Sequence, residues 1–236
     1  MKILLFDIDG TLMLSGGAGR RAIDRAFLEL HGVTDAFGAI VPDGNTDPAI
    51  FREIFANHGI AAADDSPMFR EVVRRYVLHL PAEIEDSAQA HLMPGVVPLL
   101  EHLAVDKSVA LGLLTGNFEE TARIKLDRFG LNRFFPFGAF GSDHGVREHL
   151  VPIAVQRAEV HLEEPIGLGP HVVVIGDTPK DIDCALVNRA TAVGVASSRY
   201  SADELEAAGA HHVMPTLEDI PTFMNAITSG ESSLQK

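Results

Sequence analysis

Ile3-Leu4-Leu5-Phe6-Asp7-Ile8-Asp9-Gly10-Thr11 decides the fold of this chain. Its first four residues are apolar without polar alternation, the pattern of a strand buried on both faces of a parallel sheet. The run then breaks into two aspartates and a glycine. The same grammar recurs downstream. Val109–Leu114 stops at Thr115-Gly116-Asn117, and Val172–Ile175 stops at Gly176-Asp177-Thr178-Pro179-Lys180-Asp181. Ala192–Val195 is a fourth apolar run. Between these runs, Val96, Leu99, Leu100 and Leu103, then Ala122, Leu126 and Phe129, then Ile182, Ala185 and Leu186 recur at helical spacing. Strand alternating with helix predicts a doubly wound α/β fold around a parallel sheet.

The stretch between the first and second of these strands is far too long for one crossover helix, so it predicts an inserted module. Ala22, Ile23, Ala26, Phe27 and Leu30 form one apolar helix face, and Phe69, Val72, Val73, Tyr76, Val77 and Leu80 form another. We therefore expect an all-α insert over residues 16–90, between core segments 1–15 and 91–236. The glycine-rich Ser15-Gly16-Gly17-Ala18-Gly19 leads into it and Met93-Pro94-Gly95 follows it, which places hinges at both ends. Farther on, Ser201 and Glu204 form a capping box, Gly209 ends that helix, and the polar Ser229–Lys236 is expected to fray.

With 236 residues the chain can build a substantial apolar core without help from metals or oligomers. Its formal charge of −14 opposes attraction to nucleic acid or anionic membranes. One cysteine, Cys184, excludes an internal disulfide and reads as a small buried residue. Asp7 and Asp9 cut the first apolar run well below the length of a signal segment or a membrane span, so a soluble cytoplasmic protein is expected.

In open α/β sheets ligands bind beyond the carboxyl ends of the strands. Asp7, Asp9, Asp177 and Asp181 all fall there, and so many neighbouring carboxylates call for a hard divalent cation, most simply Mg²⁺. Thr115 adds a hydroxyl. The backbone N–H groups of Gly116 and Asn117 open the helix expected through Glu119–Phe129, where an anion is favoured. Carboxylates, cation and anion hole together suit phosphoryl transfer.

Asp7-Ile8-Asp9-Gly10-Thr11, Leu114-Thr115-Gly116-Asn117 and Gly176-Asp177-Thr178-Pro179-Lys180-Asp181 resemble, in order and separation, three motifs of the haloacid dehalogenase superfamily. The resemblance covers nearly the whole chain and is nearest to phosphoglycolate phosphatases and β-phosphoglucomutases. It implies a Rossmann-like core with a helical cap, and Asp7 as a nucleophile that forms an aspartyl-phosphate. Asp9 is then general acid and base, and Mg²⁺ is held by the Asp7 carboxylate, the Asp9 backbone carbonyl and Asp177, with Asp181 beside it. The expected substrate is a small phosphorylated metabolite like phosphoglycolate or a sugar phosphate. A phosphomutase is the near alternative, and a receiver-like phosphate sensor the alternative from another class.

The chain departs from the family where a lysine is usual, reading Gly145-Val146-Arg147-Glu148-His149-Leu150. Arg147 is the expected substitute, since a guanidinium can hold phosphate through two donors. Lys125 is the alternative, although its apolar neighbours Ile124 and Leu126 predict a solvated or snorkelling side chain. In the insert, Gly44-Asn45-Thr46-Asp47-Pro48 resembles the loop that relatives place over the site. Asn45 and Thr46 are candidate substrate contacts, against a plain helix cap by Thr46 or Asp47. Arg20 and Arg21 read as a solvated pair, and His211-His212 as packing or surface.

Overall fold

The structure, a computed structural model, describes residues 1–64 and 66–228. The tail Ser229–Lys236 lies outside them. In chain order the elements are β1 (Lys2–Phe6), β2 (Met13–Leu14), α1 (Ala18–His31), α2 (Asp47–Asn57), α3 (Pro67–Glu85) and β3 (His91–Leu92). Then come α4 (Val96–Ala104), β4 (Val109–Thr115), α5 (Glu119–Asp127), β5 (Phe137–Phe140), α6 (Leu150–Leu162) and β6 (Val172–Gly176). The chain continues through α7 (Pro179–Val187), β7 (Thr191–Val195), α8 (Ala202–Ala207), β8 (His212–Met214) and α9 (Ile220–Thr228).

Six strands form one sheet in the order β5-β4-β1-β6-β7-β8, and every pairing in it is parallel. The alternation within β1 explains its unbroken apolar character. Leu4 and Phe6 pack with α4, α5 and α9 on one face, while Ile3 and Leu5 pack with α6 and α7 on the other. All four are fully buried. At about 25 cal/mol per Å² of apolar area, such two-faced burial stabilises by roughly 1.5–3 kcal/mol per large side chain. Phe6 pairs with Leu113 of β4 on one side and Ile175 of β6 on the other, so the three strands end within two residues of one another. On either side of β1 the crossovers run opposite ways, which opens the crevice where such sheets bind ligands.

The insert has its own core. Ala22, Ile23 and Phe27 of α1 meet Ile50, Phe51 and Phe55 of α2 and Phe69, Val72 and Tyr76 of α3. Its two ends meet in a short antiparallel ribbon, with Met13 opposite Leu92 and Leu14 opposite His91. Sequence periodicity predicted none of β5, β8 and this ribbon: each is two to four residues long, too short for a period to show. The helix expected through Phe129 ends at Asp127, and Leu186 faces solvent instead of the core. The capping box holds, with the Ser201 hydroxyl accepting from Glu204 N and Glu204 accepting from Ser201 N.

Candidate active site

Asp7 is the first residue beyond β1, and its backbone N–H donates to Ile175 O at 2.9 Å, an extra rung that continues the sheet. This rung fixes the side chain at the level where the three central strands end. Arg147 sits in a 3-10 turn, Arg147–His149, leading into α6. Its Nη2 lies 3.0 Å from Asp7 Oδ1, contacts Asp181 Oδ1 and donates to Leu114 O. The guanidinium is buried, as are both carboxylates. Burial raises the Asp7 carboxyl to about 6, against the opposing pull of Arg147. Burial by itself would lower Arg147; Asp181 and Asp7 more than offset it, and the guanidinium stays charged.

Asp177 closes this cluster. Its Oδ1 accepts from Thr11 Oγ1 at 3.1 Å, and its Oδ2 accepts from Ser198 Oγ. Burial pushes its carboxyl up to about 8, with Asp181 and Asp7 adding to the rise. Gly10 makes the approach possible: its φ is +87°, and a Cβ there would stand 2.2 Å from Asp177 Oδ2. Asp181 has two tasks, since its Oδ2 also accepts from Thr178 N and Oγ1 and so caps α7. One carboxylate thus both caps a helix and meets Arg147. Cys184 is buried beneath, its thiol against Arg147 O and pushed up to about 12 by burial.

Asp7, Asp177 and Asp181 each offer a carboxylate oxygen within 4.8 Å of the others. One guanidinium cannot balance three ionised carboxylates, so the cluster holds protons, as the raised Asp7 and Asp177 carboxyls do, or a cation, and an all-oxygen donor set suits a hard divalent one. The residues present therefore fit such an ion. The Asp9 carboxylate lies outside this triad.

Asp9 faces a second cation. Lys125 Nζ is 2.6 Å from Asp9 Oδ2 and 2.6 Å from Asn117 Oδ1, while Asn117 Nδ2 donates both to Asp9 Oδ2 at 2.8 Å and to Thr115 Oγ1 at 2.7 Å. The expectation of a solvated Lys125 is corrected here, because the residue is only 5% exposed. Its apolar neighbours in sequence point elsewhere on the helix. Asn117, Thr121 and Lys125 recur every fourth residue and are all buried on one side of α5 and its lead-in. That polar stripe was the signal in the sequence, and Lys125 is the site residue it would have found. The two cations thus divide the carboxylates, Arg147 taking Asp7 and Asp181, and Lys125 taking Asp9.

The insert reaches this floor through its loop before α2. Asn45 lines the cavity above the site, its amide donating to Val41 O and accepting from Lys180 Nζ. Thr46, expected as a substrate contact, does not line it. Its hydroxyl donates to Gly145 O at 2.8 Å and accepts from Ala49 N as the cap of α2, which uses up both its functions. Asp47 N donates to Gly116 O, and the Asp47 carboxylate accepts from Phe118 N at 2.9 Å and Thr121 Oγ1 at 3.2 Å. An acid of the insert therefore caps a helix of the core. Burial raises Asp47 to about 6, opposed by Lys125 and the Phe118 N–H. Gly116 allows the contact, since a Cβ there would meet Asn45 O at 2.1 Å. Arg20 pairs with Asp35 and Arg21 with Glu83, both partly exposed as expected. His211 is exposed and accepts from Ala192 N, and His212 lies half-buried on β8.

A cavity of about 960 Å³ lies between the sheet end and the insert, with Asp7, Asp9, Thr115, Arg147 and Asp177 on its floor. The haloacid dehalogenase-like hydrolase family model matches residues 1–186, and the chain belongs to that family. Among curated proteins no sequence matches it. Among solved structures, a hydrolase from Pseudomonas syringae is similar at 22% identity and a TM-score of 0.69, covering 95% of this chain and 98% of its own. CbbY from Rhodobacter sphaeroides, in complex with phosphate, aligns at 17% identity and a TM-score of 0.70, over 93% and 96%. A predicted phosphoglycolate phosphatase from Haemophilus somnus 129pt aligns at 16% and 0.67, over 95% and 98%. These likenesses show a shared fold. Among the described residues, no helix is long and apolar enough to cross a membrane.

Proposed function

We propose that the chain hydrolyses small phosphate monoesters through an aspartyl-phosphate on Asp7. The observation that carries this reading is the division of labour between the two carboxylates of Asp7-Ile8-Asp9. Asp7 is fixed at the end of the central strand beside Arg147, and Asp9 stands apart, tethered by Lys125 and Asn117. A nucleophile and a proton carrier need those different surroundings.

In this reading an Asp7 carboxylate oxygen attacks phosphorus. The ester P–O bond breaks, and the departing alkoxide takes a proton from Asp9. Water then gives its proton to Asp9 and attacks the phosphorus of the phospho-enzyme, so inorganic phosphate leaves and Asp7 is restored. Thr115 Oγ1 and the N–H groups of Gly116 and Asn117 orient the phosphoryl oxygens. Arg147 neutralises charge on them and on Asp7. A Mg²⁺ ion, when held by the carboxylates of Asp7 and Asp177 and the Asp9 carbonyl with Asp181 beside it, supplies further neutralisation of the phosphate. Residues 16–90 serve as the lid over core segments 1–15 and 91–236, with Asn45 at the leaving group.

Phosphate release from acetyl phosphate or an alkyl phosphate in the presence of Mg²⁺ tests this. Asp7→Asn is expected to abolish release with the fold intact, and Asp9→Asn to lower it by about 10²–10⁴-fold. Chelation by EDTA is expected to silence the wild type and Mg²⁺ to restore it. Near wild-type release by Asp7→Asn sinks the reading.

A further inference from the structure

The cavity is much larger than a phosphoryl group requires. Its volume of about 960 Å³ stands at the upper end of the roughly 300–1,000 Å³ usual for small-molecule sites. The floor accounts for the phosphate; the wall must account for the alcohol. From the insert the apolar part of that wall is made by Ile23, Phe37, Ile40, Ile50 and Tyr76, all nine-tenths or more buried, beside polar groups that include Arg20, Asp43 and Asn45. The cations at the wall are already matched. Arg20 pairs with Asp35 at 2.8 Å and lies over the Phe37 ring, and Arg199 pairs with Asp43 at 2.9 Å. Lys125 is held by Asp9.

The resemblance points to a glycolate or sugar phosphate, and these five side chains match neither. A carboxylate beside them would have to share or displace an acidic partner that Arg20 or Arg199 already holds. A polyol needs a hydrogen-bonding group for nearly every hydroxyl; of the five only Tyr76 carries one, and Asn45, His91, Ser197 and Ser198, which also line the cavity, are engaged with Val41 O and Lys180, Gln89 O, Gly10 O and Asp177. We propose that the site takes phosphate monoesters whose alcohol carries an apolar body, an aliphatic chain or an aromatic ring. The inference rests on the phosphatase reading and specifies its substrate class.

The test is the wild-type kcat/KM for methyl, butyl and hexyl phosphate, whose leaving alcohols differ little in acidity, beside phosphoglycolate and glucose 6-phosphate. If the wall receives the chain, kcat/KM rises by roughly fourfold per methylene while the cavity fills, the equivalent of ~0.8 kcal/mol per buried CH₂. Release from all the alkyl esters at a flat rate, or a preference for the glycolate or glucose ester, overturns the assignment and leaves the phosphatase reading standing. Release from none of them, acetyl phosphate included, overturns that reading and the assignment with it. Gly19→Leu supplies a second arm. Gly19 lines the cavity in the first turn of α1, and a Cβ there meets only the Tyr76 hydroxyl at 3.6 Å, an ordinary contact. The leucine is expected to cut the hexyl-to-methyl ratio of kcat/KM by about tenfold or more by filling the wall's space, without lowering the melting temperature, since leucine favours a helix over glycine. An unchanged ratio in the folded variant counts against the assignment, and the wild-type series decides it if the variant does not fold.

Discussion

At the scale of single residues, the site is built by two cations with different clients. Arg147 serves Asp7 and Asp181, and Lys125 serves Asp9. If Lys125 holds Asp9 in place for proton transfer, Lys125→Met lowers kcat by on the order of 10–100-fold, short of the ~10²–10⁴-fold that acid–base catalysis contributes as a whole. Stability changes by at most about 1 kcal/mol, because the Asp9 side chain is 39% exposed and water can replace the ammonium. Steady-state phosphate release beside a thermal melt checks this, and wild-type kcat in a folded variant would remove Lys125 from the mechanism. Asp7, Asp9 and Asp177 were legible in the sequence because each follows an apolar run, and Arg147 through the family resemblance, at the place where a lysine is usual. Lys125 was not, since its signal is a four-residue polar stripe whose meaning depends on which side of α5 is buried. Thr46 stayed open between substrate contact and cap because a capping hydroxyl and a ligand-binding hydroxyl look alike until their partners are known.

Among the elements, the tie between insert and core is the Asp47 carboxylate at the start of α5. Asp47→Ala removes the acceptor for Phe118 N and Thr121 Oγ1, and the loss of such a cap costs about 1 kcal/mol. Asp47→Asn keeps an acceptor oxygen but no charge. Because burial raises the Asp47 carboxyl from 3.8 to about 6, its protonated form is the one the folded state favours. The associated stability is complete below about pH 4 and is lost as pH rises through about 6. Asp47→Asn does not titrate, so its denaturation midpoint relative to wild type should climb between about pH 4 and 7. A difference that stays constant with pH would show that Asp47 is not the buried acid described. The long helices and the central strands were readable from periodicity and unbroken apolar runs. The ribbon of β2 and β3, β5 and β8 were not, because two to four residues cannot display a period and take their form from neighbours.

For the whole molecule, the three clustered carboxylates make stability depend on pH and on divalent cations together. Asp7 and Asp177 are raised to about 6 and about 8 without any ion, so metal-free stability from this cluster is complete below about pH 4 and is lost as pH climbs through those values. A divalent cation requires the cluster deprotonated. Mg²⁺ is therefore expected to raise the melting temperature more at about pH 8.5 than at about pH 5.5, and EDTA to reverse the gain. Equal shifts at both pH values would place the ion elsewhere. The overall layout was foreseeable from the alternation of runs, but the lining of the cavity was not. Ile23 read only as part of an apolar helix face and Phe37 and Ile50 gave no signal of their own, and only the spatial packing of the insert against the sheet end turns part of its core into a wall. The order in which the strands lie also bears on how the chain is made. β1 is flanked by β4 and β6, so Ile3 waits for Val172 before its second neighbour exists. On the ribosome, α1, α2 and α3 emerge with all of their own core but Phe118 and Ile124 already present, while the apolar run that precedes them stays exposed until most of the polypeptide has been synthesised.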